Sequence, residues 1–62
     1  MPLYLCQQGS MILYGVTDET QFADYLEKQF HIGQVDPNNV NEINRLISTE
    51  WDGDYKVKIV EI

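Results

Sequence analysis

Apolar and polar positions along this 62-residue chain change period twice. Residues 2–7 (PLYLCQ) and 11–16 (MILYGV) are rich in tyrosine and aliphatic side chains and predict two strands. Gly9-Ser10 between them fits a tight hairpin turn, with glycine supplying positive φ. A helical period follows. Thr17 or Asp18 is placed to cap a helix beginning at Glu19, and Phe22, Tyr25, Leu26, Gln29 and Phe30 then share one face. Asp24 sits four residues before Lys28, a favourable helical pair, and Gly33 is expected to end the helix as a left-handed cap. Asp36-Pro37 is the expected start of a second helix, whose apolar stripe is Val40, Ile43, Leu46 and Ile47. Asparagines at 38, 39, 41 and 44 are poor helix formers, so this helix must depend on packing. Ser48 to Asp54 forms a polar connection. From Tyr55 to Ile62 the period returns to two, with Tyr55, Val57 and Ile59 on one face and Lys56 and Lys58 on the other.

The expected fold is α+β, a single domain over residues 1–62 with the order ββααβ. An N-terminal hairpin and a C-terminal strand make a three-stranded sheet, and two helices pack on one of its faces. The last strand can pair with either hairpin strand, and the pattern does not choose between them.

The hairpin carries more apolar residues than one core needs. With the turn at Gly9-Ser10, Leu5 is expected opposite Tyr14 and Cys6 opposite Leu13. Leu3, Leu5, Ile12, Tyr14 and Val16 then share one face. Tyr4, Cys6, Met11 and Leu13 share the other, beside Lys56, Lys58 and Val60. Two helices cover only one face, so the second leaves large apolar side chains in water, as interfaces do. Tyr4, Cys6, Met11 and Leu13 are the expected contact residues, for a protein partner or a homodimer. A one-residue slip in register would mix the two sets.

Composition narrows the partner. Ten acidic residues against four basic ones give a net charge of −6, which opposes direct binding to nucleic acid or an anionic membrane. That charge serves solubility, and it also favours encounter with a basic protein surface. Hydrophobic content of 44% and seven aromatics (one Trp, four Tyr, two Phe) suit a folded domain. At this size only about 60% of the unfolded chain's surface is buried, leaving little room for a deep pocket. Cys6 is the only cysteine, and the chain has no basic-then-apolar leader and no apolar run of membrane-spanning length. A cytoplasmic protein is expected.

Catalytic chemistry finds few residues. His31 is the only histidine, and a base–nucleophile pair with Cys6 would have to join the first strand to a helix end. One cysteine and one histidine do not make a structural zinc site. An EF-hand loop counted from Asp52 puts Lys56 at its fifth position and Val57 at its sixth, where an oxygen ligand and glycine are needed. The four glycines are isolated, so no phosphate loop is present. No cofactor, no metal and no enzymatic activity are expected.

Two further features bear on binding. Trp51 lies within Glu50-Trp51-Asp52-Gly53-Asp54, where it can fill a partner's pocket while its carboxylate neighbours meet arginines, or fold back over the core. With Asp24 and Glu27 of the first helix, Glu50, Trp51, Asp52 and Asp54 form a candidate acidic and aromatic contact surface. Spaced carboxylates, Asp18, Glu19 and Glu42 among them, can also stand where DNA phosphates would lie in a basic groove. Lys28 and Arg45 interrupt that acidic field. In size, charge and lack of catalytic residues the chain resembles the small acidic proteins of bacteriophages and mobile elements, anti-CRISPR and anti-restriction proteins included. That likeness is one of composition and carries no residue across. The expectation is a non-enzymatic binding protein, a regulator or inhibitor docking on another protein. A DNA-mimic inhibitor and a small structural subunit of a larger complex are the alternatives.

Overall fold

The computed structural model describes residues 1–62 as β1 (Pro2–Gln8), β2 (Met11–Val16), α1 (Glu19–Phe30), α2 (Val40–Glu50) and β3 (Tyr55–Glu61). This is the α+β order ββααβ. Both neighbours of β1 run antiparallel to it, giving the strand order β2-β1-β3 and settling the partner of the C-terminal strand.

The hairpin turns at Gly9-Ser10, where Gln8 faces Met11 and Gly9 adopts φ 58°, the glycine-first pattern of a two-residue turn. The Gly9 amide also donates to the Asp54 carbonyl at 3.1 Å, tying this turn to the loop before β3. Beyond the turn the register departs from expectation. Gln7 pairs with Ile12, but Cys6 pairs with Tyr14, so a β-bulge leaves Leu13 without a partner. Every residue of β2 past Leu13 is therefore shifted by one. Tyr14 and Val16 join Cys6 and Tyr4 on the helical side, while Gly15 falls opposite Leu5. The two expected sets are mixed, and packing explains why. Tyr14 stacks on Tyr25 of α1 with ring centroids 4.0 Å apart, and the Leu5 side chain leans over the space a Cβ at Gly15 would fill.

Asp18 caps α1, its side chain accepting from the Gln21 amide at 3.0 Å, and the helix begins at Glu19 as its sequence implies. Its end differs. His31, not Gly33, takes the left-handed conformation (φ 57°, ψ 34°), with His31 N donating to Glu27 O and Ile32 N to Leu26 O. With the reversal at residue 31, Ile32 packs against the core. The start of α2 is also later than Asp36-Pro37. Asp36 closes a local turn by accepting from Asn38 N, and Asn39 is the cap, accepting from Glu42 N at 3.3 Å.

The core lies between the sheet and the helices. Tyr4, Cys6 and Val57 from the strands meet Phe22, Leu26 and Phe30 of α1 and Ile43 and Ile47 of α2. Tyr4 keeps its hydroxyl satisfied by donating to Asn38 Oδ1 at 2.8 Å. Leu46, expected in the buried stripe, is only half-buried and stands at the rim of the helical layer.

Candidate docking surface

The two outer strands treat their free edges differently. On β3, Asn44 of α2 reaches the backbone of Val57 twice, Nδ2 donating to its carbonyl at 3.1 Å and Oδ1 accepting from its amide at 2.8 Å. This side-chain amide takes the place a neighbouring strand would occupy, and the exposed Lys56 and Lys58 add charge along the same strand. β2 has neither device. It has β1 on one side and no strand on the other, and its six residues include no charge and no proline. Met11, Ile12 and Leu13 are 57%, 59% and 41% exposed. An uncharged edge pairs with another chain more readily than a charged one, and the bulge at Leu13 divides this six-residue edge into two short regular stretches.

The face of the sheet turned away from the helices continues this surface. By register it carries Leu3, Leu5 and Gln7 of β1, Ile12 and Gly15 of β2, and Lys56, Lys58 and Val60 of β3. Leu5 is buried there without belonging to the main core. Lys56 and Lys58 are the only charged side chains on this face, although the chain has ten acidic residues. Their charges are also free: the other two basic side chains, Lys28 and Arg45, pair with Asp24 and Glu42.

This placement corrects the expected contact set. Tyr4 and Cys6 are on the covered face, 2% and 0% exposed, and are not available to a partner. Alternation shows which residues of a strand share a face, but not which face the helices take. Met11 and Leu13 remain accessible, and Ile12, assigned by the pattern to the opposite set, stands between them in the same exposed run. The signal that could have chosen the face lies in β3. Its apolar side holds Tyr55, Val57 and Ile59, and pairing with β1 puts those residues beside Gln8, Cys6 and Tyr4.

No protein-family model, curated protein or solved structure matches this chain. The chemistry of the surface therefore rests on its own residues.

The acidic and aromatic candidates divide into three places. Asp24 and Glu27 border a groove between α1 and the segment 32–35, and Asp24 is engaged with Lys28 at 3.0 Å. Glu50 and Trp51 share a cleft at the ends of the two helices. Asp52 and Asp54 lie beyond Trp51, in a depression also lined by Arg45 and Lys56. Trp51 packs edge-on against Phe30 with centroids 5.5 Å apart yet stays 37% exposed, so it both closes the core and offers a face to solvent. The part played by Phe30 and Leu46 as walls of that cleft was hidden by their expected place in the core stripe.

Cys6 and His31 are not brought together. Cys6 is fully buried beneath the helices, and burial pushes its thiol pKa up, away from the reactive thiolate. Tyr25 beside it is pushed up to about 12, first by burial and then by its thiol neighbour. His31 is exposed at the end of α1. No three His, Cys, Asp or Glu side chains converge as a metal site, and no helix is long and apolar enough to cross a membrane.

Proposed function

We propose that this chain is a binding module that docks on another protein through β2 and the adjoining open sheet face, acting as a regulator or inhibitor and not as an enzyme. The observation that carries this reading is the contrast between the edges: β3 is bridged at Val57 by Asn44 and carries Lys56 and Lys58, whereas β2 presents the uncharged run Met11-Ile12-Leu13. A partner strand laid along β2 would satisfy its outward backbone groups, while Ile12 and Leu13 supply apolar contact. Lys56 and Lys58 on the open face favour a partner with carboxylates around its apolar contact. The single buried cysteine supports a cytoplasmic location.

Mimicry of DNA has less support. Three of the ten acidic side chains are held in ion pairs, with Lys28, Arg45 and the N-terminal ammonium, and Asp18 is occupied as a helix cap.

Paired affinity purification from the native host tests the proposal, with the natural chain and Ile12→Lys/Leu13→Lys as baits. The reading expects a protein enriched by the natural chain and lost with the variant, whose exposed positions leave the fold intact. Equal capture by both baits would refute docking through β2. Self-association abolished by the same variant would replace the heterologous partner with a second copy.

A further inference from the structure

A helix C-terminus carries partial negative charge, normally matched by Lys, Arg or His in the last turn. α2 has no basic residue there; it ends on Glu50, followed by Trp51 and Asp52. This is the arrangement that costs stability. The end of α1 lies beside it, and its own last-turn cation, Lys28, is held by Asp24. The two helix ends enclose an open cleft of about 440 Å³ walled by Phe30, Ile32, Val35, Leu46 and Trp51, with Glu50 as its carboxylate. His31 is the only basic residue in its lining, which holds no lysine or arginine. Trp51 meets the Phe30 ring at 88° and has the His31 ring 6.4 Å away at 26°. At 37% exposure it keeps part of its indole open in the cleft that Glu50 also lines.

We propose that this cleft receives an arginine side chain of a basic partner segment, the guanidinium stacked on Trp51 and paired with the Glu50 carboxylate. Arginine fits better than lysine. Its flat, weakly hydrated cation stacks on an indole and meets a carboxylate through two parallel hydrogen bonds, whereas an ammonium is compact and strongly hydrated. The apolar walls take up the side chain's methylene stem. The negative ends of both helices add to the attraction. No residue of β2 lines the cleft, so the inference stands independently of docking through the sheet edge.

Trp51 is the only tryptophan, so its emission reports on the cleft directly. The probes are the N-acetyl methyl esters of arginine, lysine and norleucine, titrated into the full chain. The arginine ester should change Trp51 emission saturably with Kd near 1–10 mM, roughly what one side chain in an open cleft supports. The lysine ester should bind more weakly, and the norleucine ester at least about tenfold more weakly, because it lacks the charge-assisted pair. Glu50→Gln should weaken the arginine ester at least about fivefold while unfolding at an equal or higher urea concentration, since it removes a negative charge from a helix C-terminus. Lost binding in that variant is then not lost folding. Backbone amide shifts in the natural chain should fall on residues 30–35 and 46–51. The proposal is overturned by any of three results: no saturation below about 100 mM, equal affinity for arginine and norleucine esters, or amide shifts centred elsewhere.

Discussion

Replacing Asn44 by alanine removes the two hydrogen bonds that bridge the outer edge of β3 at Val57. Both are partly buried, and Val57 itself is 2% exposed. Each such bond contributes about 1 kcal/mol net, and a peptide group left with incomplete hydration adds to the loss. Alanine returns roughly 0.5 kcal/mol of helix propensity. The expected net destabilisation is about 1.5–2 kcal/mol, a large part of the ~3–9 kcal/mol that a domain of this length holds. It corresponds to a fall in Tm of about 10 °C. Asn41→Ala is the matched control, because Asn41 is exposed on the same helix and makes no side-chain hydrogen bond. It should gain about 0.5 kcal/mol from propensity alone. Urea unfolding of the two variants and the natural chain gives the difference between them. Hydrogen exchange at the Val57 amide adds a local reading, which should quicken in Asn44→Ala and not in Asn41→Ala. Equal stability of the two variants would refute the bridging role of Asn44.

Other outcomes follow from the same structure. His31→Gly relieves a left-handed non-glycine residue and should stabilise the fold by up to about 1 kcal/mol in urea unfolding; a loss would mean that the imidazole contributes more than its backbone costs. Tyr25 has a folded-state pKa near 12 against an ordinary 10.0, so the folded chain holds a proton that the unfolded chain releases in that interval. Its contribution is fully present below pH about 10 and is lost as pH rises toward about 12, and Tyr25→Phe should flatten that part of the stability profile. Cys6 should react with a thiol reagent only as fast as the chain opens, because it is buried and its thiol pKa is raised; rapid labelling of the folded protein would contradict the core described for β1.

Local signals in the sequence reached the elements that local chemistry controls. Asp18 before Glu19 and Gly9-Ser10 between two apolar runs have one physical use each, as a helix cap and a tight turn, and the structure uses them so. Asp36-Pro37 has two, and the local turn won because Asn39 offers a second cap one turn later. The left-handed residue at the end of α1 is His31 and not Gly33, a choice that no local preference marks, because glycine is the residue that favours this conformation. Nothing local marks Leu13 as a bulge, since the cause lies across the sheet in the Tyr14–Tyr25 stack and the Leu5–Gly15 contact. The same holds for Asn44, whose composition suggests only a weak helix and whose contact is thirteen residues away in β3. The docking surface was accordingly half legible. The surplus of apolar hairpin residues was plain, but the face left open was decided by register and packing, and Tyr4 and Cys6 went to the covered side.

The central claim is that β2 is the contact edge. Its most direct test is residue-resolved hydrogen exchange on this chain, free and bound to the protein that it captures. Docking along β2 should slow exchange at outward-facing amides of residues 11–16, with smaller changes across Leu3, Lys58 and Val60 on the open face, and should leave α1 and α2 unchanged outside the Glu50–Trp51 cleft. Protection confined to the exposed faces of the helices, with β2 exchanging as fast as in the free chain, would contradict it.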